Sequence, residues 1–225
     1  MPVQTENLQA KLESVQERIL RAAERARRDP AQVLLLAVTK VFPAGVIQDG
    51  YELGLRDFGE NYIQEFETKA PQVRSLPGAR FHLIGHLQSN KSRRGVELFD
   101  VIQTVDSAKL AKRLNEAGKP IDVMLEVKLS PEEAKSGASP SELPDLIAAV
   151  RALPNLRLLG LMTMPPWSRE PEASRPFFRQ LRELADQHGC RQLSMGMSND
   201  FEVAIEEGST CVRIGTALFG KRQKV

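Results

Sequence analysis

The sequence predicts an α/β protein: a (β/α)8 barrel of TIM type carrying one additional N-terminal helix. Two observations carry that prediction. From residue 33 onward, eight short apolar runs alternate with helix-like segments, the signature of a parallel sheet. No GxGxxG follows the first run, and eight regular units on about 190 residues favour closure over an open doubly wound sheet.

Taken in order, residues 5–28 read as an amphipathic helix. Leu8, Leu12, Val15, Ile19, Ala22 and Ala26 recur at steps of three and four, and Asp29-Pro30 ends the pattern. This segment, within residues 1–30, is expected to pack on the barrel as an extra layer. The strand candidates are VLLLAVT (33–39), RDFG (56–59), RFHLIG (80–85), DVIQTV (100–105), IDVMLEV (121–127), LRLLGLM (156–162), RQLSMG (191–196) and TCVRIG (210–215). Between them, 45–54, 61–74, 107–117, 141–152, 175–188 and 200–207 read as helices, with only a short helical turn near 88–94. Two longer polar loops, 129–144 and 164–176, follow the fifth and sixth strands and suit plain solvated loops, with a second role in partner binding left open. All 225 residues are read as one domain.

Composition narrows the function classes. Lys plus Arg total 31 against 29 Asp plus Glu, and a net charge of +2 makes no case for nucleic acid or an acidic membrane. Cys190 and Cys211 form no CxxC pair, which suits a reducing cytosol. No apolar signal core is present, and no apolar run approaches the roughly 20 residues that span a bilayer. A soluble, cytoplasmic protein is expected.

In a barrel of this type the site lies at the C-terminal ends of the strands. Those ends read Lys40, GEN at 59–61, GH at 85–86, Thr104 and Asp106, Lys128, Thr163, MGMSND at 195–200 and RIGT at 213–216. The last two say most. Gly196 and Ser198 precede a helix start, and Gly215 and Thr216 repeat the arrangement. Loops after strands seven and eight that open on short helices form the recurrent phosphate site of this fold.

Lys40 ends an apolar run, and strand alternation gives it the direction of Leu34, Leu36 and Val38, the barrel-filling face. A lysine desolvated there becomes a usable nucleophile toward an aldehyde. An amine beside a phosphate cup calls for an aldehyde that carries a phosphate, and pyridoxal 5'-phosphate fits. Arg213, just before the cup, would face the ring nitrogen and keep it unprotonated. A cofactor-free Schiff-base aldolase would use the same lysine and cup. His82 and His86 alternate onto one strand face, but no third ligand of matching register stands out, so no metal site is expected.

At this point the sequence resembles the pyridoxal phosphate homeostasis protein family, whose fold is that of the N-terminal barrel of alanine racemase. LLLAVTK, FGENYIQE, FHLIGHLQSNK, IQTVDS, KSG at 135–137, GLMTM, LSMGMSND and VRIGTALFG carry the resemblance over nearly the whole chain. The resemblance implies a covalent aldimine between the cofactor and Lys40, with Ser198, Gly215 and Thr216 on the phosphate and Arg213 at the pyridine nitrogen. Asn61 would lie beside the cofactor, and His82 would be a wall residue. It also implies a non-catalytic role in vitamin B6 homeostasis; a monomer is the default expectation because the β-domain on which the racemase dimer rests is not found, and delivery to apo forms of pyridoxal-phosphate-dependent enzymes stands open beside simple storage. One departure stands out: Lys128 occupies a position where the family often has asparagine, and its strand parity with Glu126 favours an ion pair at the barrel mouth, the alternatives being a ligand contact or a rival amine for the aldehyde.

A racemase of the alanine racemase type needs a second acid/base opposite its lysine, a tyrosine on a separate β-domain. The chain ends shortly after the eighth strand's loop, and Tyr51 and Tyr62 both fall in helix-like segments. The expectation is therefore a binder, the alternative being a racemase with weak activity.

Overall fold

The computed structural model describes residues 2–130 and 136–220, with side chains from residue 7 onward. Eight parallel strands close into a barrel in chain order. They are β1 (Leu34–Val38), β2 (Asp57–Glu60), β3 (Arg80–Leu83), β4 (Val101–Val105), β5 (Ile121–Glu126), β6 (Leu156–Met162), β7 (Gln192–Met197) and β8 (Cys211–Ile214). The helices are α1 (Pro2–Arg25), α2 (Ala44–Glu52), α3 (Ile63–Val73), α4 (Ser92–Leu98), α5 (Ala108–Asn115), α6 (Leu143–Arg151), α7 (Arg175–His188), α8 (Phe201–Glu206) and α9 (Thr216–Phe219). The barrel predicted from alternation is thus the observed architecture. Strands buried on both faces read as near-continuous apolar runs, which is why they were legible.

Most boundaries shift by one to three residues from the sequence expectation, and three of the shifts have a clear cause. α1 stops before 28 because Arg27 takes a left-handed conformation (φ 54°) and Arg28 donates to the carbonyls of Ile205 and Ser209. α3 starts at Ile63 because Tyr62 is still extended (φ −129°, ψ 125°). The turn near 88–94 runs on into α4, since Val96 and Leu98 find a buried face.

The apolar core has two parts. Between sheet and helices, Phe66 packs on Phe81 and Phe99 with centroids 4.8 and 4.9 Å apart, and Phe58 on Phe81 at 5.8 Å. Inside the barrel a much smaller cluster holds Leu36, Val38, Ile84 and Cys211, with Leu34 against it. The interior also holds buried polar side chains, among them His82, Gln103, Ser194 and Arg213.

α1 lies against α8 and α9. Leu8, Leu12, Val15, Ile19 and Ala22 are buried; full burial of a large aliphatic side chain contributes about 1.5–3 kcal/mol. Arg18 adds a two-pronged contact to Glu202 (3.0 and 2.8 Å) and stacks over Phe201, 4.4 Å from the ring centroid. The N-terminal helix therefore braces the two helices whose first residues border the candidate site.

Candidate functional site

A cavity of about 380 Å³ opens at the C-terminal ends of the strands. Six of the seven sequence-predicted residues line it together: Lys40, Asn61, Ser198, Arg213, Gly215 and Thr216. His82 is not among its lining residues. It lies deeper in the barrel, 3% exposed, between Asp57 and Gln103.

The backbone around Lys40 is held on both sides. Thr39 donates its hydroxyl to Glu60 (2.7 Å), and its carbonyl accepts from Lys69 (3.0 Å). Val41 sits at φ 64°, unusual for a β-branched residue, with its N–H on Glu65 Oε1 at 2.5 Å. Lys69 bridges the two carboxylates, reaching Glu60 at 2.8 Å and Glu65 at 2.6 Å. Burial pushes the Glu60 carboxyl up, and the Lys69 ammonium pulls it back down. A buried ion cluster of this kind is weak evidence for stability but fixes geometry well. Here it sets the chain on either side of the lysine.

At the other end of the cavity the N–H groups of Gly215 and Ala217 both donate to Ser198 Oγ, at 3.3 and 3.2 Å. Gly196 makes this possible. Its φ is +91°, and an added Cβ would stand 2.5 Å from Ala204 Cβ and 2.9 Å from Phe201 Cα. A dianionic phosphate that displaced Ser198 Oγ from these two N–H groups would meet them together with the Ser198 and Thr216 hydroxyls.

On the cavity floor, Arg213 is 3% exposed. Its Nη1 donates to the carbonyl and hydroxyl of Ser194 (2.7 and 2.8 Å), and its Nη2 to Thr163 O (2.9 Å). Burial lowers its pKa, opposed by Cys211, Asp200 and Glu126. Nearby, Asn61 Oδ1 is buried with no hydrogen-bond partner in the structure. An orphaned acceptor in a cavity that also holds an amine, a guanidinium and an anion cradle fits pyridoxal phosphate: each polar part of the cofactor has a complementary group here.

Sequence reasoning missed one wall. The segment after β6, read as a solvated loop, contributes Met164, Pro166, Trp167 and Ser168 to the cavity. Asn199 holds it there by donating to Ser168 O at 3.0 Å. The chain's single tryptophan, in a stretch with no periodicity, was the available signal. Lys135 of the KSG motif lies outside the described residues.

The ion pair expected between Lys128 and Glu126 does not form. β5 ends at Glu126, and Lys128 N–H already bonds Ala138 O (2.9 Å) outside the sheet, so strand parity no longer applies. Glu126 Oε2 is buried without a partner. Burial first, and then Asp106, push its carboxyl up to about 7, with Arg213 opposing. The folded protein therefore holds a proton that the unfolded chain gives up near 4.5. Stability should fall as pH rises through 7, by roughly 2–3 kcal/mol between pH 4.5 and 8. Glu126→Gln is expected to flatten that decline and to melt higher than the native protein at pH 8. Parallel melting curves for the two proteins across that range would remove the assignment.

Comparison with known proteins was consistent. Residues 10–223 match the family described as alanine racemase, N-terminal domain. The pyridoxal phosphate homeostasis protein of Pseudomonas aeruginosa is 51% identical over 211 residues, 91% of either chain. The structure of PipY from Synechococcus elongatus, solved with pyridoxal phosphate bound, is 37% identical, with a TM-score of 0.81 over 95% of this chain and 100% of that one. Alanine racemase from Corynebacterium glutamicum shares the fold at 20% identity (TM-score 0.69), 93% of this chain matching 61% of the racemase. The chain belongs to the pyridoxal phosphate homeostasis protein family.

Proposed function

We propose that this protein binds pyridoxal 5'-phosphate as a Schiff base on Lys40 and serves cofactor homeostasis without turning over a substrate. The observation that carries this reading is the convergence of Lys40, Arg213 and the Ser198–Gly215–Ala217 cradle on one cavity. When bound, the cofactor would supply a carbonyl electrophile. The cradle would hold its phosphate, and Lys40 is the primary amine on the cavity wall that would meet the aldehyde. Arg213 places a permanent charge where the ring nitrogen would lie, disfavouring a second proton there and weakening the ring as an electron sink.

The chain's other groups support binding over catalysis. Among the described residues lining the cavity, the titratable side chains are Lys40, Asp200 and Arg213. Asp200 is committed: it accepts from Met197 N–H at 2.7 Å and from Ser174 Oγ at 2.8 Å. Tyr51 donates to Pro77 O, and the exposed Tyr62 is not a lining residue. No described helix is long and apolar enough to cross a membrane. A cytoplasmic monomer that passes cofactor to apo-enzymes completes the reading.

The test is the visible spectrum of the purified protein with pyridoxal phosphate, before and after borohydride, followed by peptide mapping and an alanine racemisation assay. A yellow band that reduction fixes on the Lys40 peptide, with no racemisation, is expected. No band, or a label elsewhere, would overturn the cofactor site. Turnover of alanine would favour a weak racemase.

A further inference from the structure

Below the cavity, one line of polar side chains crosses the barrel interior. Ser194 Oγ, having accepted from Arg213, donates to Gln103 Oε1 at 2.6 Å. Gln103 Nε2 lies 2.9 Å from His82 Nδ1, and His82 Nε2 lies 2.9 Å from Asp57 Oδ1. Arg213, Ser194, Gln103 and His82 are at most 3% exposed, and Asp57 is 9% exposed.

With the Gln103 amide oriented to accept from Ser194, valence sets the direction of the other links. A guanidinium only donates, and a hydroxyl that accepts from it has one hydrogen left, here spent on Gln103 Oε1. The amide then presents its NH2 to His82 Nδ1, which must be the bare nitrogen. The imidazole hydrogen therefore sits on Nε2 and points at the Asp57 carboxylate, which only accepts. Each bond runs from the cation toward the anion, so each polarises the next.

We propose that this chain is a positioning device, in which Asp57, His82 and Gln103 hold the Arg213 guanidinium fixed and charged beneath the cofactor ring. The proposal deepens the function above and rests on it. Among the described residues no carboxylate pairs with Arg213 directly; a carboxylate against it would cancel its field at the ring. Placing the anion at the far end of the chain leaves that field aimed into the cavity. Three of the five guanidinium N–H donors are spent on fixed acceptors, which leaves two. His82 then serves the site through Arg213, as a positioning residue.

The paired variants His82→Phe and His82→Gln test this. Phenylalanine fills the space but breaks both links. Glutamine can accept from Gln103 and donate to Asp57, as the imidazole does. The dissociation constant for pyridoxal phosphate is expected to rise at least tenfold in His82→Phe, with a shifted pH profile of the absorption band, and to stay within about twofold in His82→Gln. Nitrogen-15 NMR of the cofactor-free protein should show the Nε2–H tautomer of His82, and an Arg213 side chain that is ordered in the native protein and mobile in His82→Phe. Equal affinity and spectrum in both variants, alongside a lowered melting temperature, would mean that His82 only packs. A doubly protonated His82, or an Arg213 equally ordered in His82→Phe, would overturn the proposal even if the native protein bound no cofactor, a result that by itself would count only against the function above.

Discussion

Lys40→Ala is expected to lose every trace of cofactor fixed by borohydride while keeping its fold. β1 ends at Val38, before the lysine, so the truncation leaves the strand ladder untouched. Thr39 and Val41 are held by Glu60, Lys69 and Glu65. Melting should therefore stay within about 1 kcal/mol of the native protein, as for other changes outside packed cores. Affinity should fall by about two orders of magnitude, equivalent to about 2.7 kcal/mol, because the phosphate cradle and Arg213 remain. A mapped label that persists in this variant, on Lys128 or any other lysine, would show that the amine had been misassigned.

Gly85→Ala should be the most damaging single methyl group near the site. A Cβ there would stand 2.1 Å from the carbonyl oxygen of Asn61, with the Asn61 carbonyl carbon and Cα at 2.7 and 2.8 Å. All three are backbone atoms, so no side-chain rotation relieves the clash. The end of β3 must move away from the end of β2, straining the Ile84 N–H bond to Glu60 O (2.9 Å) and the Thr104 hydroxyl bond to Gly85 O (2.8 Å). A loss of about 3 kcal/mol or more is expected in denaturant unfolding. Asn61 should be displaced with it, and cofactor affinity should fall. Gly45→Ala is the matched control. Gly45 lies in α2 with nothing within 4 Å of the added carbon, so alanine there should stabilise by about 0.5–1 kcal/mol. Similar unfolding midpoints for the two variants would mean that the close approach at Gly85 does not govern this end of the barrel.

How much of this was legible in the sequence depends on whether local pattern or global geometry sets each feature. The strands were legible because burial on both faces makes each a bounded apolar run. Five of the cavity residues were legible because the barrel gathers strand ends, so Lys40, Ser198, Arg213, Gly215 and Thr216 could be named without knowing any distance, whereas Asn61 was named through the family resemblance. Depth was another matter. Alternation correctly turns His82 inward, yet its height in the barrel comes from the stagger between strands, seen where Gly59 pairs with His82 and Met197 with Arg213. No local pattern encodes that stagger. Glu126 and Lys128 failed for a related reason: parity holds only while the strand lasts. The Met164–Ser168 wall has no periodicity at all, and its place depends on a hydrogen bond from Asn199, some thirty residues later.

The docking of α1 on α8 and α9 has a consequence for how the chain is made. The first helix is made with its apolar stripe uncovered, and its partners α8 and α9 follow only after the strands up to β7 and β8 have been made. β1 likewise waits for β8 to complete the ring. Both contacts span most of the chain, so neither can form until nearly all of it is available, and each carries a long-loop entropy cost. The fold should thus close late and in one step. Until then apolar surface stays exposed, and the cavity, which needs Arg213 of β8, exists only once that strand has been made.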